Sequence, residues 1–158
     1  LFYINGENII SPQMVDGRRM NINTGKIENW GAEANAAYRI HPEWNITANY
    51  SWLRMVHPIV AAPEHKLFIG ADFTRGRWSA STGVQYVAGL YTTVDPVEKK
   101  ESFVQWNARA SYRLSPFAHV FVRGENLLAQ RYEINYGFPM PKATFMGGIN
   151  LHFKNEQI

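Results

Sequence analysis

Apolar and polar residues alternate along seven segments of this chain, and no segment becomes an unbroken apolar run. A period of two predicts β-strands, because successive side chains of a strand point to opposite faces of the sheet. In the clearest segment, residues 77–91, one face carries Trp78, Ala80, Val84, Tyr86, Ala88 and Leu90. The opposite face carries Arg77, Ser79, Ser81, Gln85 and Tyr91. One face is therefore apolar and ends in aromatics, and the other is polar.

The same pattern predicts strands at residues 27–40, 44–56, 64–74, 77–91, 102–114, 120–125 and 143–153. Residues 1–10 are counted as one further, irregular strand, although Asn5-Gly6 is a hairpin signal that could divide them. Three short turns are expected at residues 41–43, 75–77 and 115–117. Long loops are expected at residues 11–26, 57–63, 92–101 and 126–142. Short and long connections thus alternate along the whole chain.

This segregation of short turns and long loops to opposite rims is typical of an outer-membrane barrel, and a soluble β-sandwich has no reason to show it. We therefore predict an all-β fold, an antiparallel transmembrane β-barrel whose apolar face contacts lipid. An aromatic girdle is expected near the periplasmic rim, at Tyr38, Trp44, Trp78, Tyr112 and Phe153. The polar wall of the lumen is expected to carry Glu33, Arg39, Lys66, Asp72, Arg109, Arg113, Arg123 and Glu125.

Composition supports this class and excludes several functions. The 158 residues include no cysteine, which excludes disulfides, thiolate metal sites and a cysteine nucleophile. Aromatic residues make up 14% and charged residues only 18%, against about a quarter in average proteins. No segment approaches the roughly 20 apolar residues of a spanning helix, so a membrane crossing must use strands. The net charge of +3 is scattered along the chain, which argues against a nucleic-acid partner.

Several segments resemble the C-terminal part of TonB-dependent outer-membrane receptors. Residues 125–132, Glu-Asn-Leu-Leu-Ala-Gln-Arg-Tyr, resemble the family's stretch on the next-to-last strand, and Pro139-Met140-Pro141 resembles its approach to the final strand. Residues 148–153 resemble its aromatic-ended last strand, which here continues into residues 154–158. Residues 29–33 and 44–52 are similar to two earlier strands of the family. Lys142 stands where the family commonly carries Arg.

The resemblance implies a larger protein than these residues. Members of the family have a 22-stranded barrel, an N-terminal plug and a segment that contacts TonB. Residues 1–153 would then be about the last eight strands, and residues 154–158 a short tail. The resemblance further implies a Gram-negative outer membrane and active import of a scarce nutrient such as a siderophore–iron chelate, haem, cobalamin or a glycan. The implied partners are the lipid bilayer, the chain's own plug, which these residues do not include, TonB acting through that plug, and a small-molecule or chelate substrate.

Two alternatives remain open at the level of sequence. Eight strands can also close into a complete small barrel that serves as an anchor, an adhesion factor or a small envelope enzyme. A soluble β-sandwich acting as a binding module is the second alternative. It predicts that Trp44, Trp78 and Trp106 are shielded between two packed sheets.

The candidate ligand contacts are aromatic and thioether side chains in the last long loop, where they would lie beside an extracellular mouth. They are Tyr132, Tyr136, Phe138 and Met140, and packing between loops would explain them equally well. The polar wall residues could contact a plug or a substrate, or simply line a hydrated lumen. The five histidines show no metal-ligand spacing, and no catalytic set of residues is apparent. We therefore predict no catalytic residue, no metal, no cofactor and no enzymatic activity.

Overall fold

The structure of the chain is a computed structural model that describes residues 1–94 and 96–152, with the side chains of residues 11–14, 19 and 24 left out. These residues form strands and connections, without a helix. Eight strands form the main sheet: β1 (Phe2–Val15), β2 (Arg18–His41), β3 (Trp44–Met55), β4 (His65–Arg75), β5 (Trp78–Thr93), β6 (Lys99–Ser115), β7 (Ala118–Glu125) and β10 (Thr144–Leu151). Two short strands, β8 (Glu133–Asn135) and β9 (Phe138–Pro139), form a separate hairpin.

The main sheet follows chain order, from β1 through β7 to β10, and every neighbouring pair is antiparallel. Within the described residues β1 and β10 do not pair with each other, so the sheet is open at both edges. It is therefore not the closed eight-stranded barrel of the first alternative. The predicted all-β, antiparallel fold is confirmed.

The first predicted loop is a pair of strands instead. We expected residues 11–26 to be loop, but β1 and β2 pair along this segment as far as the tight turn between Val15 and Arg18. Asp16 and Gly17 both have positive φ, 50° and 75°, as a two-residue hairpin turn requires. The Asn5-Gly6 signal does not divide β1, which continues past it with an irregular register between Gly6 and Ile9.

The register divides the sheet into the two predicted faces. Trp78 lies opposite Tyr112, and Val84 lies opposite Trp106, so these side chains share the apolar face. Trp44, Trp78 and Trp106 are 44%, 58% and 40% exposed, which is far from the shielding that a sandwich core requires. The β-sandwich interpretation is therefore wrong for the described part of the chain.

A bulge in β5 moves Leu90 to the other face. Val87 pairs with Phe103 and Leu90 pairs with Glu101, so two residues of β5 oppose one of β6 between these pairs. Gly89 supplies the positive φ of 65° that this irregularity uses. We predicted Leu90 on the apolar face, but it lies on the polar face with Val87, where both are buried.

Candidate functional site

The residues predicted to line the lumen lie on the polar face of the sheet. Asp72 illustrates the pattern, since the register places it between Asn45 of β3 and Ser81 of β5. The side opposite the exposed tryptophans thus carries the predicted set of Glu33, Arg39, Lys66, Asp72, Arg109, Arg113, Arg123 and Glu125. This agrees with the predicted faces, whereas a role in contacting a plug or substrate stays a prediction.

Two of the wall arginines are occupied by neighbours on the same face. Arg123 forms an ion pair with Glu125. The guanidinium carbon of Arg109 lies 4.7 Å from the centre of the Phe121 ring, a cation–π arrangement. In this region the charged wall residues therefore interact with other residues of the wall. These contacts favour a hydrated lumen wall over a set of unpaired charges that would bind a ligand.

Two more arginines brace the short turns. Arg39 donates from Nη2 to the carbonyl oxygen of Pro42 at 2.9 Å. Arg113 donates from Nη2 to the carbonyl oxygen of Gly76 at 3.2 Å. Both wall residues therefore help to satisfy the turn backbone at the short-turn rim.

The predicted girdle residues that the structure describes lie on the apolar face, near the short turns. The Trp78 and Tyr112 rings are 4.7 Å apart, and the Trp44 ring lies 4.8 Å from that of Phe73. Tyr38 is exposed on the same face, opposite Ile46. Phe153, the remaining member of the predicted girdle, lies outside the described residues.

The last long loop, residues 126–143, packs against the C-terminal end of β5 and the N-terminal end of β6, which lie side by side. Tyr136 donates its backbone N–H to the carbonyl oxygen of Thr92 at 3.0 Å. Glu133 donates its backbone N–H to the Glu101 carboxylate at 2.6 Å. The β8–β9 hairpin is thus held by the wall itself, and we call this end of the sheet the mouth.

Tyr132 is the buried anchor of this loop. Its ring stacks on Phe103 with 3.9 Å between centres, and both belong to a buried cluster with Val87 and Leu90. Its hydroxyl accepts a hydrogen bond from the Gln105 amide nitrogen at 3.1 Å. Burial raises the pKa of the Tyr132 hydroxyl above its usual value. Tyr132 therefore packs the loop onto the wall.

Met140, another predicted ligand contact, also supports the loop. It packs against the buried cluster, and its backbone N–H donates to the carbonyl oxygen of Tyr132 at 2.9 Å. Tyr136 and Phe138 differ, since they are 55% and 73% exposed. Lys99 places its ammonium nitrogen 3.5 Å from the centre of the Tyr136 ring. Of the four predicted ligand contacts, Tyr132 and Met140 therefore pack against the wall, whereas Tyr136 and Phe138 are exposed.

Asn126 joins both ends of the loop. Its side-chain nitrogen donates to the carbonyl oxygens of Gln130 and Pro141, each at 2.9 Å, and its Oδ1 accepts from the Gln130 N–H at 3.1 Å. Its own N–H donates to Asn107 Oδ1 at 2.9 Å. Asn126 is only 2% exposed and has a φ of 48°, which asparagine tolerates better than most residues. This role was not predicted, although the resemblance included the residue.

A second group of residues at the mouth, also not predicted, consists of Glu64, Tyr91 and Lys100. It connects the loop between β3 and β4 to the strand ends on either side of the loop between β5 and β6. Lys100 Nζ lies 2.7 Å from Glu64 Oε1, and Tyr91 donates to the same oxygen at 3.4 Å. The hydrogen bond from Lys100 holds the pKa of Glu64 below its usual value, and Glu64 raises the pKa of Lys100. Glu64 and Lys100 are 36 positions apart in the sequence, so this contact cannot be predicted from the local pattern of apolar and polar residues.

No metal site is visible at the mouth or elsewhere in the part of the chain that the structure describes, where no three potential ligands gather. His119 and His152 are neighbours, with ring centres 5.6 Å apart. The Tyr50 hydroxyl oxygen and His65 Nδ1 are hydrogen-bonded at 2.8 Å. In the described residues no helix is long and apolar enough to cross a membrane.

The exposed aromatic face, the charged opposite face and the loop folded onto the wall define this chain as a section of a β-barrel wall. The chain belongs to the family described as TonB dependent receptor-like, beta-barrel, which matches residues 1–127. Members of this family are receptors of the Gram-negative outer membrane. The prediction that the chain is not an enzyme agrees with this membership. Among curated proteins, none matches the chain.

Solved structures support the fold. The copper transporter OprC is 19% identical over 93% of this chain, with a TM-score of 0.74. The closed form of the ferric-catecholate import receptor Fiu from E. coli K12 is 21% identical over 93%, with a TM-score of 0.66. The siderophore receptor PiuA from Acinetobacter baumannii is 18% identical over 83%, with a TM-score of 0.68. This chain covers 27%, 24% and 22% of those three chains, about a quarter of each.

Proposed function

We propose that this chain forms part of the wall and mouth of an outer-membrane transporter that imports a scarce nutrient, with energy supplied through TonB. The observation that carries the proposal is the pair of unlike faces, since exposed tryptophans oppose a wall of arginines, aspartate and glutamates. Such a sheet suits lipid on one side and a wet lumen on the other. Family membership supports the same role.

Residues 1–153 are assigned in this proposal to the C-terminal part of the barrel, and residues 154–158 to a short tail. The proposed partners are the bilayer, an N-terminal plug, TonB acting through that plug, and a small-molecule or chelate substrate. Substrates of the siderophore–iron, haem, cobalamin and glycan classes are all compatible with a large lumen. The similar structures are named for copper, a ferric catecholate and a siderophore, which favours a metal or its chelate.

Tyr136 and Phe138 are the proposed ligand contacts at the mouth. Both rings are exposed on a hairpin that the wall holds in place, so they can pack against a ligand without a costly rearrangement. Lys99 beside Tyr136 adds a positive charge, which suits an anionic chelate. Tyr132 and Met140 contribute by holding this hairpin against the wall.

The test is binding and uptake by cells that produce the full-length receptor. Tyr136→Ala and Phe138→Ala should each weaken binding of an imported ferric chelate by about tenfold, the ratio that about 1.4 kcal/mol of lost aromatic contact gives. Phe117→Ala is the matched control, because Phe117 is also an exposed aromatic residue, at 59%, but lies at the short-turn rim. Uptake should also stop when the inner-membrane proton gradient is collapsed. Uptake that persists without the gradient would contradict energy coupling.

A further inference from the structure

Two histidines lie side by side on the polar face of the sheet, at the rim of the short turns. The register pairs His119 of β7 with Asn150 of β10, and His152 follows two positions later on the same side. The centres of the His119 and His152 rings are 5.6 Å apart, with 83° between the ring planes. Pairing of β7 with β10 therefore brings together two imidazoles that are far apart in the sequence.

The backbone holds both residues in place. β7 and β10 pair without a register shift over the whole length of β10. His152 donates its backbone N–H to the carbonyl oxygen of Phe117 at 2.9 Å, so the pairing continues one residue beyond the end of β10. The separation of the two rings thus depends on two neighbouring strands whose pairing is complete.

The ring nitrogens of this pair are available to a ligand. His41 Nδ1 accepts a hydrogen bond from a backbone N–H at 3.3 Å, and His65 Nδ1 is hydrogen-bonded to the Tyr50 hydroxyl. Within the part of the chain that the structure describes, neither His119 nor His152 forms a side-chain hydrogen bond. A neutral imidazole can donate the lone pair of one nitrogen to a metal ion.

The spacing of the two rings fits one shared metal ion. A nitrogen–metal bond of about 2.0–2.1 Å places the ion about 3.2 Å from the centre of an imidazole ring. Two rings that bind the same ion at angles from about 90° to about 180° then have centres about 4.5–6.4 Å apart. The observed 5.6 Å lies within this range. Side-chain rotation, without movement of the strands, can therefore point one nitrogen of each ring at the ion.

We propose that His119 and His152 together bind a divalent transition-metal ion, with water completing its coordination. Imidazole suits Cu²⁺, Zn²⁺ and Ni²⁺, and Cu²⁺ binds a given set of nitrogen ligands most tightly. The described residues contain no group of three or more potential ligands, so a closed structural site with four protein ligands is not formed there. Two imidazoles form an open site, from which an ion can exchange.

The position of the pair gives this site a place in transport. It lies on the face that the proposed function turns toward the lumen, at the short-turn rim. An imported metal ion would leave the lumen at this rim, so the pair would be one of its last contacts with the wall. This role rests on the proposed function, whereas binding of the ion requires only the pairing of β7 with β10.

The test measures Cu²⁺ binding by the full-length receptor in detergent, purified without a polyhistidine tag. Isothermal titration calorimetry compares the wild type with His119→Ala, His152→Ala and the matched control His57→Ala. His57 is exposed in the loop between β3 and β4, at the opposite rim. We expect each variant of the pair to weaken this site about a hundredfold, the lower end of what two linked contacts gain over one. The control should bind as the wild type does.

A measurement at each histidine covers copper that binds elsewhere on the receptor, and it needs no variant. Diethyl pyrocarbonate modifies free imidazoles, and peptide mass spectrometry reports the extent of modification. Cu²⁺ should slow the modification of His119 and His152 in the wild type and leave that of His57 unchanged. Mg²⁺, which prefers oxygen ligands, should protect none of the three.

Each outcome decides a specific point. Unprotected His119 and His152 rings at saturating Cu²⁺ would overturn the proposal, as would equal Cu²⁺ affinity of the wild type and both variants of the pair. Equal protection by Mg²⁺ would mean that imidazole nitrogens do not hold the ion. Uptake that depends on the proton gradient is measured in parallel. A receptor that imports a ferric chelate but shows no protection lacks the metal site, while the proposed function stands.

Discussion

The ring of Phe68 lies over Gly83 of the neighbouring strand, so closely that a Cβ built on Gly83 would be 2.6 Å from the Cε2 atom of that ring. The same ring covers Gly70 on its own strand, where a Cβ would be 2.9 Å from Cε1. Phe2 over Gly31 and Phe121 over Gly148 repeat the arrangement. Aromatic rings on the polar face therefore cover glycines that have no side chain to pack, which is a known way to stabilise a glycine in a sheet.

Gly83→Ala should destabilise the sheet by about 1–3 kcal/mol, because the Phe68 ring must leave both of its glycine contacts. Unfolding by guanidinium in detergent, followed by tryptophan fluorescence, measures the change. Gly147→Ala is the matched control, since a Cβ at Gly147 meets its nearest atom at 3.5 Å, an ordinary contact. If Gly83→Ala and Gly147→Ala are equally stable, packing of the Phe68 ring does not require a glycine at position 83.

Asn126→Ala should release the last loop from the wall. The substitution removes three side-chain hydrogen bonds and leaves the carbonyl oxygens of Gln130 and Pro141 without their donor, at about 1–3 kcal/mol for each buried group. Limited proteolysis should then cut within residues 127–140 at a protease concentration that spares the wild type. The loop of the control Asn135→Ala should resist cleavage, because Asn135 is exposed on the β8–β9 hairpin.

Asn126→Asp refines this test. An aspartate keeps the acceptor for the Gln130 N–H but loses both donated hydrogen bonds. We expect its cleavage rate to equal or exceed that of Asn126→Ala, because a buried carboxylate oxygen would then face the carbonyl oxygens of Gln130 and Pro141. A cleavage rate for Asn126→Asp equal to that of the wild type would mean that the donated hydrogen bonds do not hold the loop.

The Glu64–Lys100 pair predicts a pH dependence with a definite sign. Because the pKa of Glu64 is held below its usual 4.5, the carboxylate stabilises the fold above that pH, and this contribution is lost as the pH falls through the lowered value. Lys100 has a raised pKa, so its own contribution persists at neutral pH and is lost only under strongly basic conditions. Both side chains are more than a third exposed, so the effect should not exceed about 1 kcal/mol.

Thermal unfolding from about pH 6 to about pH 3 measures this contribution. Glu64→Gln should lower the midpoint slightly at pH 6, and this difference should shrink as the pH falls and the wild-type carboxylate becomes protonated. Glu98→Gln, at an exposed position in the same mouth region, should follow the wild type throughout. A difference between Glu64→Gln and the wild type that grows as the pH falls would contradict the assigned sign.

The two faces could be predicted from the sequence because each depends only on alternation within a strand. Trp78 and Tyr112 are on one face by parity alone, and cross-strand pairing then brings their rings together. Parity fails where a bulge intervenes, which is why Leu90 was assigned to the wrong face beyond Gly89. Asp16-Gly17 is a recognisable turn signal, but the residues around it are rich in Gly, Asn and Arg, so pairing of residues 11–26 was not expected.

The candidate site was less predictable because its contacts join distant parts of the chain. Tyr132 could be selected as an aromatic loop residue, but its burial depends on Phe103 and Gln105 of β6. The hydrogen bonds of Asn126 likewise depend on how the loop returns to Pro141. Such side-chain partners follow from three-dimensional proximity, which neither periodicity nor composition encodes.

The orientation of the sheet predicts opposite results for two adjacent residues of β3. Ala48 lies on the apolar face, between Ala36 and Ile69, about midway between Trp44 and Trp52. Asn49 lies on the polar face, between Asn35 and Phe68, and is exposed. Ala48→Arg should cost about 2–4 kcal/mol at the middle of a bilayer, whereas Asn49→Arg adds a charge to a wall that already carries several.

Folding of the full-length receptor into phosphatidylcholine vesicles, scored by heat-modifiable electrophoretic mobility, separates the two variants. We expect Ala48→Arg to lower the folded fraction strongly and Asn49→Arg to match the wild type, because only the first charge must enter hydrocarbon. In buffer without vesicles or detergent, the difference in folded fraction between Ala48→Arg and Asn49→Arg should disappear, because neither face then contacts lipid. If Asn49→Arg proved the more damaging change in vesicles, the apolar face could not be the one that contacts lipid.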